Sequence, residues 1–320
     1  MIDEFKGKNF LVTGGAGLLG MSLTKKLTFL KHNVISTYHN RLPPKNYNDV
    51  FEKYDFNNYE DCLKATKNID YVIISAVQAS GVSGVLQNPT STILPNLKIH
   101  AGLLEACAEN NVSKVIWISS SSVYQEFEKP IREENIDLNS PPYELYMGIG
   151  WVYRYLEKLA KYYQLKSNLK IGIIRTANIY GPYDRFDDIK SHVIPALIKR
   201  ALKSEDPFIV WGHKDTIRDF VYVDDLSNAV LNILHKHCNA EPINFSSGTG
   251  ISIENLVKII LQKANHKVEP IFDEKKPSAV PYRVLDNALY DGYFKNEIRT
   301  SLESGINNTI KWCYSDEYRE

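Results

Sequence analysis

The feature that most constrains this 320-residue sequence is a glycine-rich turn close to its N-terminus. Glycines recur at every third position, as Gly14, Gly17 and Gly20, after an apolar run at 10–13 and before a helical pattern at 18–30. In a strand–turn–helix unit, the first glycine permits the tight turn and the second lets a pyrophosphate approach the backbone. The third lets the helix pack closely on the strand. The pattern therefore predicts a dinucleotide site.

The start of the predicted helix supplies the other part of this site. The backbone N–H groups of Leu18 and Leu19 lie in the first helical turn, where no carbonyl of the helix accepts them. Together with the positive end of the helix dipole, these groups favour a bound phosphate. We expect Gly14, Gly17, Leu18 and Leu19 to contact the dinucleotide.

The first half of the chain alternates short apolar runs with helical patterns. Uninterrupted apolar strands separated by helices indicate a parallel sheet that is buried on both faces. We therefore predict an α/β fold, a doubly wound parallel Rossmann sheet with a smaller α/β substrate-binding domain. Strands are expected at 10–13, 33–37, 71–76, 114–119 and 170–175, and helices at 18–30, 96–110 and 151–163.

The composition changes after Gly181-Pro182, where turn residues, prolines and charges become denser. We predict a dinucleotide-binding domain at 1–177 and a substrate-binding domain at 178–320, with about 219–240 returning to the first. In the second half, helices are expected at 191–202 and 253–264, strands at 220–223 and 243–246 with a helix between them, and a turn at Trp211-Gly212.

Composition excludes several classes of function. Lys+Arg and Asp+Glu are both 38, so the basic excess of a nucleic-acid-binding protein is absent. The four cysteines are scattered without CxxC spacing, so we expect neither disulfides nor a metal site. Neither a signal-peptide pattern nor a membrane-spanning apolar run is present, and we expect a cytoplasmic protein with no membrane partner.

The end of the second strand bears on the choice between NAD and NADP. An acidic residue usually binds the ribose hydroxyls of NAD there, but the position holds Tyr38. Arg41 or His39 could meet a 2′-phosphate, which slightly favours NADP, or Arg41 could be a solvated loop arginine. Asp55 and Phe56, after the next strand-like run, could contact the adenine ring.

With these segments assembled, the chain resembles the extended short-chain dehydrogenase/reductases, the nucleotide-sugar epimerase/dehydratase family. The resemblance runs nearly end to end and implies an NAD(P)-dependent enzyme in which Ala76 and Asn96 also line the cofactor site. The matching segments are 14–20, Asn96 ahead of 103–106, 119–124, 175–182 and 218–225.

Within the family, the chain is most similar to the GDP-fucose synthases, through the segments 191–200, 210–212 and 281–286. This resemblance implies a GDP-sugar ligand, with Asn178 and His192 at the sugar. By the same resemblance, four side chains would hold the nucleotide diphosphate: Arg200, Trp211, Arg218 and Arg283. The chemistry agrees, because a guanidinium binds phosphate through two hydrogen bonds and an indole stacks on a base or sugar. For each arginine taken alone, a surface salt bridge is the alternative.

Members of the family exchange a hydride between the nicotinamide and a sugar carbon, usually C4. A Tyr moves the proton, a Lys four residues later lowers the pKa of that Tyr, and a Ser binds the sugar oxygen. The Ser corresponds to Ser120, but no Tyr here has a Lys at the required spacing. Aligning the upstream Pro-Tyr nominates Tyr143 or Tyr146, with Tyr146 as our candidate.

Aligning the downstream helix instead puts Ile149 at the position of the family's Tyr and Tyr153 at the position of its Lys. Three interpretations remain open. Tyr146 acts with another cation, such as Arg154 or Lys158, or Tyr153 fills the space of the lysine beside the cofactor while the proton moves another way. In the third, the chain binds its ligands without efficient turnover.

The GDP-fucose synthases also use a Cys and a His to exchange protons at C3 and C5. The His corresponds to His192, whose alternative role is to cap the helix around Pro195, and the Cys position holds Ser122. A hydroxyl is a far weaker carbon-acid base than a thiol, so we expect 3,5-epimerisation to be lost.

The resulting hypothesis is NAD(P)-dependent redox at C4 of a nucleotide-activated sugar, expected to be GDP-linked, by a 4-dehydrogenase or a 4-ketoreductase. The alternatives are a non-catalytic sensor of dinucleotide and sugar nucleotide, and a nucleotide-sugar epimerase. Family members are usually homodimers, and the resemblance implies a four-helix contact through the helices at 96–110 and 151–163.

Overall fold

The computed structural model describes residues 3–79, 82–187, 191–276, 280–295 and 297–318. Its strands are β1 (Asn9–Thr13), β2 (Asn33–Tyr38), β3 (Phe51–Lys53), β4 (Tyr71–Ile74), β5 (Lys114–Ser120), β6 (Lys170–Thr176), β7 (Asn178–Tyr180), β8 (Ile209–Trp211), β9 (Ile217–Tyr222), β10 (Pro242–Phe245), β11 (Gly250–Ser252), β12 (Ile271–Asp273) and β13 (Tyr282–Arg283). Its α-helices are α1 (Leu18–Phe29), α2 (Tyr59–Thr66), α3 (Val82–Gln87), α4 (Ile93–Glu109), α5 (Met147–Lys166), α6 (Val193–Leu202), α7 (Val223–Lys236), α8 (Ile253–Lys263), α9 (Ala288–Tyr293) and α10 (Leu302–Cys313).

Seven strands form one parallel sheet in the order β10-β6-β5-β4-β1-β2-β3. Helices cover both of its faces, with Leu103 of α4 and Leu156 of α5 in one core, and Leu23 of α1 and Leu226 of α7 in another. The predicted doubly wound α/β fold is confirmed. Because all the strands run in the same direction, their carboxyl ends meet at one edge, where ligands bind in such sheets.

A smaller group of elements follows the main sheet. Strand β9 pairs with β7, β11 and β13, while β8 pairs with β12. Helices α6, α8 and α10 share a third core with side chains such as Ile198, Leu256 and Ile306. Strand β7 follows directly on the carboxyl end of β6, so this second group of strands begins at the carboxyl edge of the main sheet.

Several boundaries differ from those expected from the sequence. Strand β10 extends the part that returns to the main sheet to Phe245, beyond the expected limit near 240. Trp211 ends β8 rather than forming a turn, and the turn follows at Gly212, which has φ +92°. The strand-like run expected before Asp55 is β3. Helix α2 was not predicted, because a two-turn helix has too few residues to show a period.

Helix α5 begins four residues earlier than expected, at Met147. Its first turn contains Gly148 and Gly150, which argue against a helix in sequence. A Cβ on Gly150 would lie 2.5 Å from the carbonyl oxygen of Ser122 and 2.7 Å from Pro142 Cβ. The glycine is therefore explained by the close approach of the helix start to the turn after β5.

In the part of the chain that the model describes, no helix is long and apolar enough to cross a membrane. Across these same residues, no group of three or more His, Cys, Asp and Glu side chains is arranged to hold a metal ion.

Candidate active site

The glycine turn lies at the carboxyl end of β1. Gly14 has φ +66°, and its N–H donates to Thr37 Oγ1 at 3.2 Å. The N–H of Gly15 donates to the carbonyl oxygen of Thr37 at 2.7 Å, so β2 holds the turn in place. A Cβ on Gly14 would lie 2.7 Å from the Cα of Ala76, which leaves no room for any other residue type.

The two following glycines differ in what surrounds them. A Cβ on Gly20 would lie 2.2 Å from the carbonyl oxygen of Gly14, so α1 packs directly on the turn. A Cβ on Gly17 would meet only that same oxygen, at 3.1 Å, and the backbone is otherwise open there. Gly17 precedes α1 without a side-chain cap, and the N–H groups of Leu18 and Leu19 follow it in the first turn. This cradle fits a dinucleotide pyrophosphate.

The region beyond β2 differs from a simple ribose site. Tyr38 is half-buried at the end of β2, where an acid would bind the ribose. Arg41 is exposed overall, but its guanidinium donates to the carbonyl oxygens of Tyr183 at 2.8 Å and Asp184 at 3.3 Å. The interpretation of Arg41 as a simply solvated loop residue is therefore wrong.

Asp55 and Phe56 lie after β3 in different environments. Asp55 accepts hydrogen bonds from the backbone and side chain of Asn57, which lower the pKa of its carboxyl group. Phe56 is buried in the core and stacks on Tyr54 at 6.0 Å between ring centroids. The ring of Phe56 thus belongs to the core. If this segment contacts adenine, the contact is made by the backbone of Phe56 or by Asp55.

Asn96 and Ala76 shape the wall of the site beside β4. The Asn96 side chain is buried, accepts from the N–H of Gln78 at 2.9 Å, and donates to the carbonyl oxygens of Gln78 and Thr92. One amide hydrogen therefore fixes the segment after β4, and the other bonds the start of α4. The N–H of Ala76 donates to Thr13 Oγ1 at 3.1 Å, which holds this segment against the glycine turn.

Tyr153, aligned with the family's lysine, lies in an aromatic core. It is buried, and its ring stacks on Trp117 at 5.6 Å with an interplanar angle of 15°. His100 packs against both rings, and its Nδ1 accepts from the indole N–H of Trp117 at 3.1 Å. Burial raises the pKa of Tyr153 and lowers that of His100 to about 3, so the cluster is uncharged. Sequence reasoning missed His100, whose place within an apolar helical run was the available signal.

Tyr146 lies at the N-terminal end of α5, with its ring centroid 6.2 Å from that of Tyr143. Burial raises its pKa, and the charges of Arg218 and Arg283 oppose that rise without cancelling it. The cations that face Tyr146 are thus arginines of β9 and β13. The expectation that Arg154 or Lys158 would take this role is wrong.

Both of those side chains are engaged or directed elsewhere. Arg154 is buried and donates to the carbonyl oxygens of Val123 at 2.7 Å and Ser140 at 2.6 Å. Lys158 lies on the exposed face of α5. Helix geometry could have separated them, because eight and twelve residues put these positions about 12 and 18 Å along the axis from Tyr146.

Arg218 and Arg283 are register partners on neighbouring parallel strands. Both are buried, and the hydrogen bonds described for them go to carbonyl oxygens, of Ile217 at 2.7 Å and Gln125 at 3.1 Å. Burial lowers the pKa of both, that of Arg283 to about 10, with repulsion from Arg218 contributing. Nη2 of Arg283 is buried without a hydrogen-bond partner among the described residues. Two adjacent buried cations of this kind are suited to holding an anion.

Serine hydroxyls follow β5. Ser120 Oγ accepts the N–H of Ser122 at 3.1 Å and caps the short turn Ser121–Val123. Ser122 Oγ and Thr176 Oγ1 are buried and have no hydrogen-bond partner within the described ranges. Thr176 pairs in register with Ser120, so these hydroxyls come from adjacent strand ends. Sequence analysis missed Thr176, which becomes recognisable only through this register.

His192 lies at the N-cap position of α6, but its side chain makes no capping hydrogen bond. Its Nδ1 lies 3.0 Å from Asp184 Oδ1, and this interaction raises the pKa of the imidazole. The alternative that His192 caps the turn around Pro195 is therefore wrong. Asp184, which is buried and precedes the histidine by eight residues, was not predicted.

The other substrate candidates are spread over the smaller group of elements. Asn178 is exposed on β7 and donates to the carbonyl oxygen of Asp219 at 2.9 Å. Trp211 is 59% exposed, with Lys276 Nζ 5.1 Å from its ring, and can stack on a ligand. Arg200 forms a two-pronged ion pair with Glu205 at 2.8 and 2.7 Å, the alternative considered for each arginine.

Comparison with known proteins agrees with this architecture. The model of the NAD dependent epimerase/dehydratase family matches residues 10–246. A GDP-L-fucose synthase of Sinorhizobium fredii is 30% identical over 312 residues, covering 94% of this chain and 93% of that protein. The corresponding Escherichia coli enzyme is 28% identical over 275 residues, covering 80% and 83% of the two chains.

Among solved structures, a UDP-glucose 4-epimerase of Thermotoga maritima with UDP-glucose has a TM-score of 0.84 and 26% identity. The alignment covers 95% of this chain and 98% of that one. The family model alone covers well over half of the sequence, and the Sinorhizobium fredii relative extends the match to 94% of it. The chain belongs to the NAD dependent epimerase/dehydratase family.

Proposed function

We propose that this chain binds NAD or NADP at the glycine turn and a nucleotide-activated sugar, GDP-linked, in the adjoining cleft, where a hydride is exchanged at C4. The nicotinamide supplies or accepts that hydride when bound. The GDP-L-fucose synthases among its relatives support the GDP-sugar class. The observation that carries the proposal is the pair of buried guanidiniums, Arg218 and Arg283.

Burying two neighbouring guanidinium charges destabilises the fold when no ligand is bound. Each guanidinium loses hydration on burial, and the charge of Arg218 opposes that of Arg283 across the paired strands. A diphosphate offsets both costs, because its oxygens accept two hydrogen bonds from a guanidinium fork and its charge lies between the two cations. Trp211 extends this site with an exposed ring suited to stacking on a base or sugar.

The remaining polar side chains are assigned to the proton transfer that accompanies hydride exchange at C4. In this proposal the Tyr146 phenol exchanges a proton with the oxygen on C4, and Ser120 binds that oxygen. With an uncharged cluster around Tyr153, the cations that influence the phenol are Arg218 and Arg283. His192, held by Asp184, binds or protonates a sugar hydroxyl, and Ser122 leaves 3,5-epimerisation without a competent base.

Titration of GDP and of GDP-mannose into Arg283→Gln and wild-type protein tests the anion site. We expect affinity to fall about 10- to 100-fold, as for loss of charge-assisted hydrogen bonds. Arg132→Gln is the matched control, because Arg132 is an exposed arginine paired with Asp286. Equal affinities for all three proteins would refute the proposed site.

Absorbance of the nicotinamide band tests turnover. A change in the redox state of bound cofactor on addition of a 4-keto or 4-hydroxy GDP-sugar is the expected result. Tyr146→Phe should lower the rate about 10²- to 10⁴-fold without loss of binding, while Tyr143→Phe should not. A loss confined to Tyr143→Phe would transfer the role to Tyr143.

A second candidate is a binding protein without efficient turnover. Tyr153 favours it, because a buried aromatic residue stands at the lysine position of the family. Tight binding of cofactor and GDP-sugar with no change in redox state would support this function over ours. An in-place epimerase would instead change the sugar without net change in the cofactor.

We also propose that the chain is a cytoplasmic homodimer through α4 and α5. Supporting this, α5 exposes Trp151, Tyr155 and Tyr162 along one stripe, and α4 exposes Leu94. Exposed aromatic side chains at helical spacing are typical of a face that another helix covers.

A further inference from the structure

The segment between β7 and α6 contains an unusual turn. Gly181 has φ +149° and Tyr183 φ +68°, and the latter is a left-handed conformation that side-chain-bearing residues seldom adopt. Such a strained conformation persists only where contacts with the surrounding structure hold it in place. The turn also carries Asp184, the partner of His192, so its position matters for the substrate side of the cleft.

Two cations from the dinucleotide half hold this turn. Arg41, in the segment after β2, donates one guanidinium hydrogen bond to each of the Tyr183 and Asp184 carbonyl oxygens. Lys25 of α1 donates to the Tyr183 hydroxyl at 3.1 Å and pairs with Glu317 at 3.2 Å. The Tyr183 hydroxyl donates in turn to Glu317 at 2.5 Å.

We propose that Arg41 is a positioning residue for the Asp184–His192 pair, and that it is not the group that selects a 2′-phosphate. A planar guanidinium can bridge two successive carbonyl oxygens, which a lysine ammonium cannot do with the same fixed geometry. Bound in this way, Arg41 fixes the carbonyl of the strained Tyr183 and that of Asp184 itself. These two carbonyls flank Asp184, so the same contacts fix the carboxylate that bonds the imidazole. The inference rests on the proposed role of His192 at the sugar.

The charged groups around His192 allow the positioning role of Arg41 to be distinguished from the direct effect of its charge on the imidazole. Asp184 and Asp187 raise the pKa of His192, whereas Arg185 lowers it. Arg41 also faces Asp184, Arg185 and Asp187. Loss of the Arg41 charge alone would raise the pKa of His192. Loss of the two hydrogen bonds from Arg41 would instead weaken the bond between Asp184 and His192, and so lower the pKa of His192.

The test is the titration of His192 by NMR of histidine-labelled protein, in wild type, Arg41→Ala and Arg41→Lys. Arg41→Lys retains the charge but loses the fork, so we expect it to lower the pKa of His192 by about half a unit or more. Lys45→Ala, which removes an exposed cation from the same connecting segment, should not shift it. Thermal melts show whether each variant folds. If Arg41→Ala does not fold, the milder variant Arg41→Lys still tests the proposal.

Affinities for NAD and NADP complete the experiment. We expect Arg41→Lys and Arg41→Ala to change both affinities equally, and to lower kcat about tenfold with little change in the KM of the cofactor. Loss of NADP binding alone, with the His192 titration unchanged, would overturn the proposal in favour of a 2′-phosphate ligand. A pKa that rises in Arg41→Ala and is unchanged in Arg41→Lys would also overturn it.

Failure of the proposed function can be distinguished from failure of this inference. The titration and the binding measurements need no turnover. A shifted His192 titration in a protein that converts no sugar nucleotide would therefore contradict the redox function and leave the positioning role intact.

Discussion

Individual side chains in the cleft owe their charge states to burial and to one or two neighbours. Burial opposes the charge of Arg218 and Arg283, whereas Asp184 favours the charge of His192. Tyr146 stays protonated near neutrality, because burial raises its pKa despite the two arginines. A protonated phenol can donate to an oxygen on C4 at once, but must lose its proton before it can act as a base.

The Asp184–His192 pair makes stability depend on pH. Because the pKa of His192 is raised in the folded state, the pair stabilises the fold fully below the unfolded value near 6.5. That contribution is lost as the pH rises through the folded pKa. Asp184→Asn should therefore lower the free energy of unfolding at about pH 6 and have less effect at about pH 8.5. Screening at the nearly half-exposed imidazole keeps the difference below about 1 kcal/mol.

Denaturant unfolding at the two pH values measures this difference. The same substitution made in a His192→Gln background is the control, because the pH-dependent part should vanish there. A pH dependence that survives without the histidine would assign the effect to another group.

Among the secondary-structure elements, α1 and the glycine turn behave as one unit. Thr37 of β2 binds the turn from one side, and Gly20 of α1 contacts it from the other. The cradle for the pyrophosphate thus depends on helix position as much as on the turn itself. Its residues could be predicted from sequence, because close packing here leaves glycine as the one acceptable residue type.

Gly20→Ala tests this dependence. Its Cβ would lie 2.2 Å from the carbonyl oxygen of Gly14, so α1 must shift, and we expect a loss of about 2–3 kcal/mol in stability with weaker binding of NAD(P). Gly292→Ala in α9 is the control, because nothing lies within 4 Å of its added Cβ. Helix propensity alone should make that variant more stable by about 0.5–1 kcal/mol.

Thermal or denaturant unfolding and cofactor titration measure both variants. If Gly20→Ala bound NAD(P) as tightly as wild type, the position of α1 would not matter to the cradle.

At the scale of the whole molecule, the cleft is assembled from strands of two sheets. The glycine turn and Ser120 come from the main sheet, while Arg218 and Arg283 come from β9 and β13. On one face of the main sheet, α4 and α5 pack on the strands and leave Leu94 and the aromatic side chains of α5 exposed. The proposed homodimer would cover these side chains.

Tyr155→Glu tests that assembly, because it puts a charge in the middle of the exposed stripe of α5. We expect the mass measured by light scattering to fall from dimer to monomer, since a buried unpaired charge is costly at an interface. Ile298→Glu, at an exposed apolar residue away from α5, should leave the mass unchanged. A monomeric wild-type protein, or an unaffected variant, would contradict the proposed interface.

The sequence alone determined the fold class, the glycine turn and the family, because these depend on local spacing and on apolar periodicity. It also nominated Ser120 and His192, which lie in segments that match the family and remain predictions. It did not reveal Asp184, Thr176 or the Arg41 contacts, because each depends on residues brought together from distant segments. Only the tertiary structure assigned Arg218 and Arg283, rather than Arg154 or Lys158, as the cations beside Tyr146. Charge effects depend on distance and burial, and neither can be read from spacing along the chain.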